Sequence, residues 1–460
     1  MTTRLAMRLG APLVLGAVMA FGVPLSAAAD SRSPQSGHGL KAADPAGSQA
    51  KTAKPPTSKR AEREERERAE EERKKYALQP RTAEILAEAR ELLQADQYAR
   101  AKASLAKLAR AKLTPFEKAQ VHRLEGYIAY GRNDSAGAID AMSKALALQA
   151  LSPADQADVL FQLAQIQGTE KRWKDTITTL GEWFRTVEKP NSVGYYLLAL
   201  AHYQLEDFEG AVTPARQAVE IAETPQQAWL QLLLAIQLTR KDYAGAIPVV
   251  EKLVGHYPEI GKGYWLQLSA LYGTTGDNAK ALAVMELAYR KGLLTDDRDL
   301  IRLVQLNLLQ GIPLRAAAVL EREIAAKRIE ENSESYELLA GSWILAREIS
   351  KAEVPLARAA ELAPKGDLFV RLAQVHMMQE QWTKAAEALQ SALGKGGLAD
   401  PANAELLLGI SYYNEKQLPE AKIWFARAQK SNSTRQQART WLEHVEREIE
   451  NRRTQAAVTG

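Results

Sequence analysis

One pattern of small residues recurs along most of the chain and constrains its fold more than any other feature. In each unit a small residue is followed twelve positions later by a second one, with apolar residues three or four positions around each. Over ten successive units the first position holds Ala89, Gly126, Ala164, Ala199, Leu234, Ser269, Val304, Ala340, Ala373 and Gly409, of which Leu234 and Val304 are exceptions in size. The second position holds Ala101, Ala138, Thr176, Ala211, Ala246, Ala281, Ala316, Ala352, Ala385 and Ala421. Because successive units lie 33 to 38 residues apart, the chain repeats one structural unit.

This spacing predicts a series of helical hairpins. Apolar residues at helical period on both sides of the small positions indicate two short amphipathic helices, A and B, that approach closely where the side chains are small. In the sixth unit these residues are Trp265, Leu268, Ser269 and Tyr272 in helix A and Ala281, Met285 and Ala288 in helix B. A period of about 34 residues is typical of the tetratricopeptide repeat (TPR). The predicted fold is therefore all-α, a right-handed α-solenoid of about ten TPR hairpins over residues 81–432.

Turn-forming residues separate the predicted helices. Within units, Asp and Gly residues interrupt the apolar period at 206–210, 241–245 and 276–278. Between units, four prolines are expected to end one helix or to begin the next: Pro225, Pro258, Pro364 and Pro401.

The C-terminal residues predict a helix that covers the last repeat. Ser433 and Gln436 have the spacing of a capping box, which opens a helix over residues 433–453. One face of this helix carries Ala438, Trp441, Leu442, Val445 and Ile449. A repeat array needs such a half-polar helix over its last apolar layer. Residues 454–460 are predicted to be a disordered tail.

The N-terminal residues resemble a secretory signal peptide. Arg4 and Arg8 precede an apolar run over 9–25, and Ala27 and Ala29 fit the small-residue requirement for cleavage before Asp30. Residues 1–29 are therefore predicted to be removed, which leaves no transmembrane segment and places the protein in a Gram-negative periplasm. The alternative is an uncleaved membrane anchor, because the run could nearly span a bilayer.

Two segments separate this leader from the repeats. Residues 30–58 are rich in Ser, Pro, Gly, Ala and Lys and are predicted to be a disordered linker. Residues 59–80 are predicted to form a charged helical arm, since opposite charges lie three or four positions apart in KRAEREERERAEEERKK. The arm has no apolar seam for a coiled coil, so it is interpreted as a solvated spacer or, alternatively, as a partner-binding arm.

Composition and motifs leave no candidate for catalysis, a cofactor or a metal. The chain has no cysteine, which excludes thiol nucleophiles and cysteine-ligated metals. Its formal charge of +4 is too small for general electrostatic binding of nucleic acid. The segment 255–262 resembles a phosphate-binding loop, but it has five residues between its glycines and no hydroxyl after Lys262, so it is interpreted as a loop. Gly394–Gly397 is interpreted as a helix end. The six histidines have no ligand spacing, and His202 and His376 are expected to pack between helices.

The repeat instead predicts a binding face along the A helices. Residues one, four and five positions after the first small residue, and one turn before it, are expected to line a concave groove. The predicted partner-binding residues are Tyr127, Tyr130, Phe161, Tyr196, Tyr203, Gln231, Leu266, Ile301, Met377, Tyr413 and Asn414. This aromatic and apolar set would suit a protein segment, although some of its members could instead pack sideways against the next repeat.

Three segments resemble a particular family of repeat proteins. Residues 264–294, 303–324 and 367–398 are similar to exported TPR proteins associated with TonB energy-transduction systems, in which TonB acts with ExbB and ExbD. The phrase Y-W-x-Q-L-S-x-x-Y-G at 264–273 is not required by the repeat itself. The resemblance covers about 151–449 and is weaker in the first two units and in the charged arm. It implies a periplasmic accessory protein that helps couple the inner-membrane complex to outer-membrane transporters, and it brings no catalytic residues.

The predicted function is therefore a non-enzymatic periplasmic scaffold, monomeric or weakly dimeric, in a TonB-dependent transport system. Its expected partners are TonB, ExbB, ExbD or an outer-membrane transporter. The first alternative is a scaffold of another envelope machine, for polysaccharide export, peptidoglycan synthesis or outer-membrane assembly. A second alternative, an enzyme or enzyme-regulating module, would require an ordered pocket with perturbed titratable groups.

Overall fold

The computed structural model describes residue 70 and residues 74–459. From Pro80 to Thr459 the chain forms 21 helices, and none of the described residues lies in a strand. No helix in this part of the chain has the length and apolar character needed to cross a membrane. The predicted signal peptide, the predicted linker and residues 59–69 and 71–73 of the predicted arm lie outside the described residues.

The chain divides into two compact units, Met1–Arg240 and Lys241–Gly460. The helices of the first unit are α1 (Pro80–Gln94), α2 (Tyr98–Ala106), α3 (Pro115–Gly131), α4 (Ser135–Ala147), α5 (Pro153–Thr169), α6 (Trp173–Thr186), α7 (Ser192–Gln204), α8 (Phe208–Ile221) and α9 (Gln227–Thr239). Those of the second unit are α10 (Tyr243–His256), α11 (Lys262–Thr274), α12 (Asn278–Arg290), α13 (Asp297–Leu309), α14 (Pro313–Ala325), α15 (Ser333–Leu345), α16 (Ile349–Leu362), α17 (Asp367–Met378), α18 (Trp382–Lys395), α19 (Pro401–Asn414), α20 (Leu418–Ala428) and α21 (Arg435–Thr459). Odd-numbered helices from α1 to α19 are the A helices of ten repeats, and the even-numbered helices are the B helices.

The predicted all-α repeat is confirmed, because all twenty positions of the small-residue pattern are buried. Leu234 and Val304, the two larger residues, are buried as well. The need for a small side chain is most direct at the two glycines. A Cβ added to Gly126 would lie 2.7 Å from Met142 Cγ, and one added to Gly409 would lie 2.6 Å from Phe425 Cε1. Helices A and B are thus too close at these points for a longer side chain.

Every turn between helix A and helix B has the same backbone conformation. A residue with positive φ lies two positions before each B helix, at Asp96, Asn133, Lys171, Glu206, Lys241, Gly276, Gly311, Arg347, Glu380 and Lys416. In four of these turns an Asp side chain caps helix B; Asp207 accepts from Gly210 N at 3.0 Å, for example. The three turns predicted from the sequence are confirmed. The four inter-unit prolines also lie at helix boundaries, since Pro401 opens α19 and the others follow the ends of α8, α10 and α16.

The C-terminal helix differs from its prediction at both ends. It begins at Arg435, and the hydroxyl of Ser433 contacts Ser431 Oγ at 3.0 Å, so the predicted capping box does not form. Thr434 is the residue before the helix, and its hydroxyl donates to the carbonyl of Ala428 at the end of α20. The helix continues to Thr459, through residues that the sequence predicts to be a disordered tail.

The apolar face of this helix lies where the sequence predicts it. Ala438 and Val445 are fully buried, and Trp441, Leu442 and Ile449 pack around them against α19 and α20. Trp441 stacks on Phe425 with ring centroids 5.6 Å apart. The last apolar layer of the second unit is therefore covered.

Each unit contains a buried glutamate. Glu117 accepts hydrogen bonds from the backbone N–H groups of Gln79 and Thr114, both at 2.8 Å, and so joins the starts of α1 and α3. Glu323 in α14 accepts from the hydroxyl of Tyr289 in α12 and from Arg328 in the following loop. Burial by itself would raise the pKa of both carboxyl groups, but these hydrogen bonds outweigh it and hold both pKa values below the usual range.

Candidate protein-binding surface

The eleven predicted partner-binding residues share one degree of exposure. All of them are half-buried, neither in the core nor fully exposed to solvent. This follows from their place on the A helices, beside the small residues that face helix B. Their exposed parts are available to a partner, while their buried parts pack against the protein itself.

In the first unit these side chains form lateral contacts with neighbouring helices. Tyr127 donates from its hydroxyl to Asp158 of α5 at 2.8 Å, and burial raises the pKa of this tyrosine to about 12. Its neighbour Arg123 forms ion pairs with Asp155 and Asp158. Tyr130 packs on the cluster of buried residues between α3, α4 and α5. These contacts link consecutive A helices and use part of the predicted groove for packing.

The other aromatic residues of this unit are engaged in the same way. Phe161 stacks on Trp183 of α6 with centroids 4.9 Å apart. Tyr196 stacks on Trp229 of α9 at 5.8 Å, and burial raises the pKa of its hydroxyl. Tyr203 meets Phe208 edge-on at 5.7 Å. Gln231 is half-buried on the following A helix.

In the second unit the predicted residues divide into two groups. Leu266, Ile301 and Met377 pack on the large buried cluster that runs through α11–α19. Tyr413 lies against the C-terminal helix, with its hydroxyl 2.8 Å from His444 Nε2. Asn414 donates to the carbonyl of Ile410 at 2.8 Å within its own helix.

Three further exposed residues lie at a position that the repeat predicts for the groove, although they are not among the eleven predicted residues. Leu309, Leu345 and Met378 are 63%, 65% and 67% exposed, and each is the fifth residue after the first small residue of its repeat. They therefore occupy one repeat position at the ends of α13, α15 and α17, in repeats seven, eight and nine. We call these three residues the apolar stripe. The signal was present in the sequence, because the same position holds Gly, Thr, Gln or Asn in the other repeats from the second to the tenth.

The surroundings of the apolar stripe are themselves apolar or small. The residue before each member, namely Leu308, Ile344 or Met377, is half-buried on the core cluster. One turn before Leu345 on the same helix lies Gly341, where an added Cβ would meet no atom within 4 Å. The ion pair between Arg371 of α17 and Glu337 of α15 joins two of the A helices. The stripe is thus held on connected helices beside open space.

The described residues offer no arrangement for catalysis or metal binding. Within residue 70 and residues 74–459 there is no group of three or more His, Cys, Asp or Glu side chains that could hold a metal ion. An open depression of about 820 Å³ lies between the start of α19 and the end of α20, and its Glu405 and Arg427 form an ion pair at 2.8 Å. The two hydroxyl groups that line this depression, those of Ser431 and Ser433, contact each other at 3.0 Å.

The residues considered as false signals for chemistry have structural roles. The segment 255–262 joins α10 to α11, and Lys262 forms ion pairs with Asp296 and Asp299. Gly396 and Gly397 have positive φ after α18, as expected for a helix end. His376 is buried and His202 is half-buried, and each contacts the side chain of the residue before the following B helix, Gln381 or Asp207.

Comparison with known proteins identifies a tetratricopeptide repeat in the second unit. Residues 370–435 match the tetratricopeptide-repeat family, over α17–α20. The fold is the tetratricopeptide repeat. No curated protein matches the sequence.

Solved structures of TPR proteins are similar to this chain at low sequence identity. A TPR protein from Parabacteroides merdae is 15% identical over 57% of this chain and 99% of its own, with a TM-score of 0.31. YrrB, described as a TPR protein with an unusual peptide-binding site, is 16% identical over 39% of this chain and 88% of its own, with a TM-score of 0.32. The Naa15/Naa10 structure with HypK-THB is 15% identical over 73% of this chain and 52% of its own, with a TM-score of 0.40.

Proposed function

We propose that this protein is a non-enzymatic scaffold whose apolar stripe binds an apolar segment of a partner protein. The observation that carries the proposal is the exposure of three large apolar side chains at one position of three successive repeats. Single exposed apolar residues are common, but an ordered row of them marks an interaction surface. Large side chains in such a row supply most of the binding energy of an interface.

The spacing of the stripe indicates the form of the partner segment. One anchor is presented per repeat, so the partner must bring apolar side chains at a regular interval along its length. The exposed Gln305 and Gln374 on the same helices add polar contacts without a net charge. The segment is therefore proposed to be apolar at its anchors and not strongly charged.

The half-buried residues of the A helices are proposed to support binding in each unit. In the second unit, Leu266, Ile301, Met377, Tyr413 and Asn414 lie on A helices of the same repeat array. In the first unit, a second contact surface is proposed along Tyr127, Tyr130, Phe161, Tyr196, Tyr203 and Gln231. Replacing Tyr196 and Tyr203 with Ala is expected to weaken partner binding, and unchanged affinity would exclude this surface.

The cellular setting is proposed from the sequence. The signal-like residues 1–29 support export to the periplasm, and the resemblance over 151–449 supports an accessory role in a TonB-dependent outer-membrane transport system. The proposed partners are then TonB, ExbB, ExbD or an outer-membrane transporter. Export is tested by fractionation and N-terminal sequencing. A mature chain that begins at Asp30 in the periplasmic fraction is expected, and an intact chain in the cytoplasm would contradict the proposal.

The binding surface is tested by photocrosslinking in cells. A photoreactive amino acid is placed in turn at positions 309, 345 and 378, and the captured protein is identified by mass. Matched controls are Val354 and Ile423, which are 76% and 59% exposed but lie on the B helices α16 and α20. We expect one partner from the three stripe positions and none from the controls. Equal capture from both sets, or no capture, would overturn the assignment.

The energetic contribution is tested with the captured partner. The triple variant Leu309→Asp, Leu345→Asp and Met378→Asp is expected to weaken binding at least about 100-fold, because each buried anchor contributes roughly 1–2 kcal/mol. The double variant Val354→Asp and Ile423→Asp should bind as the unmodified protein does. The identity of the partner then separates a TonB system from polysaccharide export, peptidoglycan synthesis or outer-membrane assembly.

A further inference from the structure

The first repeat carries a local excess of positive charge. Residues 97–118 contain six basic residues and one acidic residue, so their net charge of +5 exceeds the +4 of the whole chain. The single acidic residue is Glu117, which is fully buried and accepts backbone hydrogen bonds. It therefore does not pair with the basic side chains at the surface.

Three of these basic residues lie beside one end of the first hairpin, together with Arg81 at the start of α1. We define the basic surface as Arg81, Arg110, Lys112 and Lys118. Gln79, just before α1, donates to the carbonyl of Lys112 at 3.5 Å and to Glu117 of α3 at 2.8 Å. These contacts bring together the start of α1, the chain after α2 and the start of α3.

The repeat itself places two of these cations side by side. Arg81 and Lys118 each lie eight residues before the first small residue of their repeats, so they occupy equivalent positions on consecutive A helices. The next three repeats have Gln156, Asn191 and Gln226 at this position. The cationic pair is thus a local feature of the first two repeats.

The basic surface is exposed, and its charges form no ion pair within the part of the chain that the structure describes. All four side chains are exposed, and among the described residues none has a carboxylate oxygen within 4.0 Å. The nearby Lys107 differs, because it pairs with Glu88 at 2.8 Å. The surface therefore keeps four positive charges available to a negatively charged partner.

The surface has no apolar anchor. Between Lys74 and Gln204 no large apolar side chain is exposed, and the residues on either side of Arg110 are exposed alanines, Ala109 and Ala111. Protein interfaces need large buried anchors, and this surface offers none. A layer of lipid headgroups needs only charge and a surface that long basic side chains can reach.

We propose that the basic surface of the first repeat binds the anionic headgroups of a phospholipid membrane. Charge complementarity supplies the attraction, and the short alanine side chains allow close approach. This attachment is independent of the apolar stripe, which lies in the second unit and binds protein. The first repeat would then hold the scaffold at a membrane surface while repeats seven to nine remain available to a partner.

The proposal is tested by vesicle co-sedimentation of the protein purified from cells that express the full chain. One set of vesicles is pure phosphatidylcholine, and in the other phosphatidylglycerol replaces a third of it. Binding is expected only to the second set and should be lost in half-molar salt, because the attraction is electrostatic. Equal binding to both sets would overturn the proposal.

Charge-reversal variants locate the site. The triple variant Arg110→Glu, Lys112→Glu and Lys118→Glu is expected to weaken vesicle binding at least about 100-fold. The matched control reverses three exposed basic residues elsewhere: Lys174→Glu, Arg216→Glu and Lys252→Glu. The control changes the net charge equally and should bind as the unmodified protein does. If both variants lost vesicle binding equally while their helical circular dichroism stayed unchanged, the effect would be due to net charge alone. That result would overturn the assignment of membrane binding to the basic surface.

An acidic protein is the competing partner, and poly-glutamate is its probe. Binding of poly-glutamate without binding to the phosphatidylglycerol vesicles would assign the surface to an acidic protein and overturn the membrane proposal. The result does not depend on the apolar stripe. Variants at Leu309, Leu345 and Met378 should bind vesicles normally, so failure of this proposal and failure of the proposed function are measured separately.

Discussion

The first repeat and repeats seven to nine share an interior and differ in their surfaces. Ala89 and Ala101 of the first repeat are fully buried, as are Ala340 and Ala352 of the eighth. On its surface the first repeat exposes cations and no large apolar side chain, while repeats seven to nine expose the apolar stripe. The comparison shows that the repeat specifies only the positions between helices. The remaining positions can acquire different binding chemistry without altering the fold.

The two regions also stabilise a buried carboxylate in different ways. Glu117 is held by two backbone N–H groups at the starts of α1 and α3, whereas Glu323 is held by the side chains of Tyr289 and Arg328. In both cases the carboxylate joins one repeat to the next. The buried carboxylate therefore receives its hydrogen bonds from backbone N–H groups in one region and from side chains in the other.

The largest expected effect comes from removing these carboxylates. Glu117→Ala and Glu323→Ala should each lower the free energy of unfolding by about 3 kcal/mol, since each removes a buried carboxylate and the two hydrogen bonds that it accepts. Urea denaturation measures the loss. The control is Glu88→Ala, which removes an exposed ion pair with Lys107 and should cost less than about 1 kcal/mol. If Glu117→Ala or Glu323→Ala lowered the free energy of unfolding as little as Glu88→Ala does, that carboxylate would not be a structural link between repeats.

A smaller change in stability is expected when the pH is lowered. Because the pKa values of Glu117 and Glu323 are lowered in the folded protein, their contribution to stability is complete above the ordinary value of 4.5. It is lost as the pH falls through the lowered folded values. In the double variant Glu117→Gln and Glu323→Gln, stability at neutral pH should be lower, and the decline from pH 5 towards pH 3 should be shallower, by thermal unfolding at each pH. An unchanged slope would show that folding does not lower the pKa of either carboxyl group.

The smallest effect concerns glycines in repeats seven and eight. Gly311 has a φ of 69° in the turn between α13 and α14, and an added Cβ would meet nothing within 4 Å. Gly311→Ala should therefore cost about 1 kcal/mol through backbone strain alone. Gly341 has equal space but lies inside α15, so Gly341→Ala should gain about 0.5–1 kcal/mol.

The direction of the stability change in Gly311→Ala also tests an interpretation of the first repeat. There Asp96 occupies the position of Gly311 with a φ of 54°, so the first repeat carries the strain that a glycine avoids. Thermal unfolding of the two glycine variants measures both changes. Stabilisation by Gly311→Ala would show that the turn conformation is not a source of strain in either region.

The sequence predicted the interior of the protein well, because the interior depends on short-range spacing. The small positions, the turns at 206–210 and 276–278, and the apolar face of α21 follow from periods of three, four and twelve residues. The packing of His376 followed in the same way, since its repeat position holds aromatic residues in other repeats.

Other features depend on atoms that are distant in sequence. The capping box at Ser433 was wrong because the hydroxyl of the next residue, Thr434, bonds to the carbonyl of Ala428 instead. The burial of Glu323 depends on Tyr289, which lies 34 residues earlier. Similarly, the stacking of Tyr196 on Trp229 depends on the positions of two helices. No local pattern specifies such contacts, whereas the apolar stripe was readable and was missed.

The closing helix has a consequence for growth of the molecule into larger assemblies. Trp441 and Val445 occupy the surface on which an eleventh hairpin would otherwise stack. A further hairpin could therefore stack on α19 and α20 only after α21 had been displaced. The same residues make the terminus a poor site for grafting further repeats unless α21 is removed first.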